Sequence, residues 1–81
     1  MFGVRHHLQQ EFPEFLNNIS TLKNNNPDFA DLLTQYDITD KKIYGIERQM
    51  RPVPDYYVGD LKKERVNLKD RIYIMLKRSS S

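Results

Sequence analysis

Few residues in this chain are of a type and spacing that could do chemistry. His6 and His7 stand side by side near the N-terminus, with Glu11 four residues beyond His7, and these are nitrogen and oxygen donors of the kind that hold zinc. Adjacent side chains on a helix diverge by about 100°, and a lasting zinc site takes three or four ligands. The pair therefore reads as a solvated tail, and no metal is expected. Cysteine is absent, which removes thiolate metal sites, disulfides and a thiol nucleophile together. No Gly-rich phosphate loop and no Ser and His in a recognisable catalytic context occur either. The expectation is a chain that is not an enzyme, with no catalytic residue, no cofactor and no small-molecule substrate.

The strongest chemical signal is electrostatic. The stretch LKKERVNLKDRIYIML, residues 61–76, carries Lys62, Lys63, Arg65, Lys69 and Arg71 against Glu64 and Asp70. Lys62, Lys63, Arg65 and Lys69 could follow a phosphate backbone, the main source of affinity in many nucleic-acid binders. In a leucine-zipper protein, however, the basic region is a separate segment that leads into the zipper. Here the charges are interleaved with Leu61, Leu68, Ile72 and Met75, so a helix that buries this seam cannot also lie in a groove. The preferred reading is that the basic residues flank a helix seam, cover its apolar atoms with their stems and pair with acids nearby. Residues 1–50 hold seven acids and five bases, residues 51–81 four acids and eight bases, so the acids to answer the second half lie in the first.

Two Pro-containing interruptions delimit the elements that position these groups. In NNNPDF, residues 24–29, Asn26 suits an N-cap, Pro27 the first helical position and Asp28 the positive helix end. In RPVPDYY, residues 51–57, Pro52 and Pro54 bias the residues before them toward extended backbone, and Asp55 can cap the helix after them. Between these marks Phe29, Leu32, Tyr36, Thr39, Ile43, Ile46 and Met50 recur at alternating steps of three and four, a heptad stripe. Val58, Leu61, Arg65, Leu68, Ile72 and Met75 repeat it.

Two such helices with a short link should fold back antiparallel about Val53. That register sets Ile43 opposite Arg65 and Tyr36 opposite Ile72, with Asp37 close to Arg71 and with Asp40 and Glu47 as acids for Arg65. Upstream, Phe12, Phe15, Leu16, Ile19 and Leu22 share one face of a short helix that needs a surface to cover. The expected fold is all-α, a coiled-coil-like antiparallel two-helix hairpin with a short additional N-terminal helix. Its parts are a flexible N-terminus 1–11, a short helix 13–24, a first arm 27–50, a link 51–55, a second arm 56–78 and a tail 79–81, in one domain.

An 81-residue chain with 38% hydrophobic and 30% charged residues buries a smaller share of its surface than a larger domain and leans on helix packing or self-association. Its longest apolar run, Ile72 to Leu76, falls far short of the ~20 residues of a membrane span. Nothing near Met1 resembles a secretory signal, so the expected location is cytoplasmic. Gly45 and Gly59 lie within the predicted helices, where they could permit close helix approach. The five tyrosines could stack on bases, but a Tyr ring on a thin hairpin more often covers the edge of a seam. The clearest candidates for a partner-binding surface are Val66, Tyr73, Ile74 and Ile38, apolar residues outside the main seam. Tyr73 and Ile74 could receive the chain's own first helix or a second chain. The expected partner is a second copy, as a homodimer, or another helical protein; nucleic acid is the alternative.

Taken in order, EFPEF, NPDFADLL, DKKI and LKKERVNLKDRIYIML resemble the YdcH family of small bacterial proteins of unknown function. The resemblance runs from about Leu8 to Lys77. Its most specific part is LKKxRxxLKDxIYxML, met by Leu61, Lys62, Lys63, Arg65, Leu68, Lys69, Asp70, Ile72, Tyr73, Met75 and Leu76; the link RPVPD is richer in proline than the family pattern. The resemblance implies a helical hairpin from a bacterial cytoplasm and no catalytic residues.

Overall fold

The structure is a computed structural model that describes residues 7–49 and 52–80. His6 of the histidine pair, Met50 at the end of the first heptad stripe and Arg51 of the link lie outside the described residues. Those described are all-α, with no strand among them. In chain order they form α1 (Leu8–Glu11), a 3-10 turn (Pro13–Phe15), α2 (Leu16–Asn25), α3 (Pro27–Gln49) and α4 (Asp55–Ser80). None of these helices is long and apolar enough to cross a membrane.

One residue ends α2 and starts α3. Pro27 disfavours helical backbone in the residue before it, and Asn26 is extended (φ −134°, ψ 107°). Its own N–H still donates to the Leu22 carbonyl at 2.8 Å, closing α2. Its Oδ1 accepts the N–H groups of Asp28 (3.0 Å) and Phe29 (3.2 Å), which caps α3. Such a cap contributes about 1 kcal/mol. At the other end of α3, Pro52–Pro54 carry the chain into α4, whose Tyr57 N–H donates to the Pro54 carbonyl at 3.1 Å.

The core brings Phe29 and Tyr36 of α3 together with Leu68, Ile72 and Leu76 of α4, and Leu8, Phe12, Phe15 and Ile19 close over it. Ile43 and Leu61 extend the buried line. Phe29, Tyr36 and Ile43 repeat every seven residues, as the heptad reading requires, whereas Leu32 and Ile46 are only half-buried. At the end of the α4 seam Leu76 is fully buried, and Met75, half-buried, packs against the same core. Each fully buried large apolar side chain stabilises the fold by roughly 1.5–3 kcal/mol.

Two expectations about the N-terminal part need correction. Residues 8–11, read as part of a flexible N-terminus, make the turn α1 and bury Leu8. A four-residue helix has no stability of its own, so packing of Leu8 into the core holds it. Leu16, expected on the buried face with Phe15 and Ile19, is 49% exposed. Leu16 opens α2, and at about 100° per residue it stands roughly 60° from the buried Ile19 and roughly 120° from Leu22, at the outer edge of their face.

Candidate functional site

Arg65 is the residue that most clearly separates the two readings of the basic stretch. It projects from α4 between Leu61 and Leu68, so its guanidinium enters the seam and not solvent. Nη1 donates to Oδ1 of Asp40 at 2.9 Å, with the Asp40 side chain 1% and the Arg65 side chain 16% exposed. A buried carboxylate needs such a partner, because desolvation otherwise costs several kcal/mol. Thr39 is buried beside it, and no buried side-chain polar atom among the described residues is unsatisfied. The Arg65 Nη1 is therefore engaged inside the fold.

The other basic candidates divide. Lys62 Nζ lies 3.0 Å from Glu47 of α3, and Lys69 Nζ lies 3.6 Å from Glu11 of α1; Lys63 is exposed. Glu47 was expected near Arg65 and meets Lys62 instead, while Asp37 pairs with Lys41 one turn along its own helix at 3.2 Å. The Asp40–Arg65 and Glu47–Lys62 pairs step in opposite directions along α3 and α4. Glu11 is a partner that sequence reasoning missed, since its element was read as unstructured.

The apolar candidates do not form one patch. Tyr73 takes the first segment: its ring stacks on Phe12 (centroids 5.5 Å apart, 28° between planes) and meets Phe15 edge-on at 6.0 Å. Lys77 Nζ stands 5.8 Å from the Tyr73 ring centre, and Asn18 of α2 donates to Ser79 Oγ at 3.3 Å. Val66 and Ile74 remain about half exposed on α4, as does Ile38 on α3. At about 100° per residue, Val66 and Tyr73 share a face, Ile74 lies roughly 80° from Val66, and Ile38 is half a turn from Phe29 on its own helix. Val66 and Tyr73 thus form a stripe along α4, and Ile38 stands on the side of α3 away from Phe29.

The glycines and the candidate metal ligands also have definite places. A Cβ built on Gly45 or Gly59 meets nothing within 4 Å, so neither glycine serves close helix approach inside this chain. No group of three or more His, Cys, Asp or Glu side chains assembles as a metal cage among the described residues. An open cleft of about 380 Å³ is lined by Leu8, Ile19, Leu33, Tyr36, Asp37 and Asp40, among others. That volume is near the low end of ligand pockets, and both of its carboxylates already take part in ion pairs with Lys41 and Arg65.

Neither the curated proteins nor the solved structures compared with the chain gave a match. Residues 29–76 match the model of a family described as protein of unknown function, DUF465, in which YdcH-like proteins fall. The matched span runs from the buried Phe29 of α3 to the buried Leu76 of α4 and takes in the Asp40–Arg65 pair between them. On that match over more than half its length, the chain belongs to the DUF465 family.

Proposed function

We propose that this chain is a small cytoplasmic protein-interaction or structural module of a bacterial cell, acting through the outward faces of its helices. In this reading α3 and α4 work as an antiparallel, coiled-coil-like hairpin, and the N-terminal segment is a brace on its open end. The observation that carries the reading is the exposure of Val66 (54%), Ile74 (50%) and Ile38 (49%) on helices whose apolar seam is already filled. Large apolar side chains outside a filled core are what a protein partner can cover. The placement of Arg65, Lys62 and Lys69 against Asp40, Glu47 and Glu11 speaks for protein contact over nucleic acid, because these cations already have counter-charges.

A photoreactive amino acid placed in turn at Val66, Ile74 and Ile38, and irradiated in the native cell, tests the reading. Crosslinks to protein, whether to this chain or another, are the expected result. Crosslinks to nucleic acid alone, or yields no higher than at the exposed polar control Gln35, would overturn it.

A further inference from the structure

One face of α4 is arranged as a palindrome. Asp55, Gly59, Lys62, Val66, Asp70, Tyr73 and Lys77 succeed one another at steps of four, three, four, four, three and four, the same in both directions from Val66. At 3.6 residues per turn they lie within a band of about 80°, its centre about 140° round the helix from the seam of Leu61, Leu68 and Ile72. None of the seven is buried.

A palindromic face has a natural occupant. When two identical helices lie antiparallel about a two-fold axis, a residue n positions before the axis faces the residue n positions after it on the other copy. With the axis at Val66, Lys62 faces Asp70 of the second copy, Asp55 faces its Lys77, and Val66 meets Val66. Every opposed charge pair along the band is attractive, and each occurs twice. Gly59 faces Tyr73 of the second copy. A Cβ at Gly59 would meet only open space, so the bare backbone there is accessible to a ring, and Tyr73 remains 38% exposed with Phe12 stacked against it. Lys62 keeps Glu47 at 3.0 Å, but an ammonium has three donors and can serve both carboxylates. The contact would run from Asp55 to Lys77, about 33 Å of helix.

We infer that a second copy of this chain docks on this face, α4 against α4, antiparallel, with the two-fold axis at Val66. The inference rests on reading the outward helix surface as a protein contact, and it names the partner and the register. It leaves Ile74 and Ile38 outside the interface.

Charge exchange in the full-length chain tests it, read as molar mass by light scattering from micromolar to millimolar concentration, with far-UV circular dichroism to confirm that each variant is folded. The wild type is expected to reach the mass of two chains. Lys62→Asp alone and Asp70→Lys alone should each dimerise at least tenfold more weakly, because each sets like charges opposite one another twice. An equimolar mixture of the two should recover the two-chain mass, since every pair is again opposite in sign. Val66→Cys, the only cysteine in its chain, should form a disulfide-linked dimer under mild oxidation, and Glu64→Cys, on another face, should not. A one-chain mass throughout, no recovery in the mixture, or equal crosslinking of Val66→Cys and Glu64→Cys would overturn the inference. Crosslinks from Val66 in the cell to a different protein, with no self-product, would also overturn it while leaving the interaction reading intact.

Discussion

Replacing Arg65 with Met isolates the ion pair that fixes α4 against α3. The substitution keeps most of the side-chain volume and removes the guanidinium 2.9 Å from Asp40, whose own side chain is 1% exposed. Removing one partner of a buried pair typically costs about 3–5 kcal/mol, because the remaining charge stays desolvated. Asp40 takes part in a further interaction, which sets the expectation at the low end, about 3 kcal/mol. For 81 residues the whole stability is on the order of 4–12 kcal/mol, so the loss is a quarter of it or more. In a domain of this size it lowers Tm by roughly 12–24 °C.

Thermal and urea unfolding by circular dichroism, at fixed protein concentration because any self-association would shift the midpoint, gives the number. Adding Asp40→Leu should recover stability to within about 1 kcal/mol of the wild type, since apolar replacement of a buried pair is often neutral or better. Lys62→Met, which breaks the more exposed pair to Glu47, should cost less than about 1 kcal/mol. Arg65→Met melting within 3 °C of the wild type (~0.5 kcal/mol), or a double variant no better than the single one, would refute the reasoning.

Other substitutions probe the remaining parts. Asn26→Ala removes the acceptor for the Asp28 and Phe29 N–H groups and should lower stability by about 1 kcal/mol in urea unfolding. Gly45→Ala meets open space and should raise stability by roughly 0.5–1 kcal/mol through helix propensity alone; a loss would show that this glycine is needed. Phe12→Ala removes the ring stacked on Tyr73 and should cost about 3 kcal/mol. It should raise amide exchange in residues 8–25 more than in α3 and α4.

The heptad spacing of Phe29, Tyr36 and Ile43 was legible in the sequence because burial of one face every seven residues is a local pattern. Arg65 was legible as a charge inside the seam, and its partner Asp40 was one of the two acids within a turn of the register. Ile72, Met75 and Leu76 all read as facing the other arm; which of them is buried most deeply was not legible, since all three are apolar and only the detailed angle of α4 sets Met75 at the edge. The turn α1 was hidden because four residues carry no periodicity, and what orders them is contact with residues far along the chain. Leu16 was misplaced because apolar type alone put it on the buried face, although at about 100° per residue it lies at that face's edge, roughly 120° from Leu22. Tyr73 and Ile74 both read as apolar outside the seam; packing of Phe12 and Phe15 separates them, covering part of one and leaving the other open.

If the cations of α4 serve the seam and a protein contact, they are not available to a phosphate backbone. An electrophoretic mobility shift titration with random duplex and single-stranded nucleic acid, at low and physiological salt, tests this most directly. No retardation is expected at physiological salt, because Arg65 donates to the buried Asp40 and Lys62 and Lys69 face Glu47 and Glu11. Tight binding that weakens steeply with salt, and is lost when Lys62, Lys63 and Lys69 are changed to Glu in a chain that still folds, would contradict the assignment of these cations to the protein's own seam.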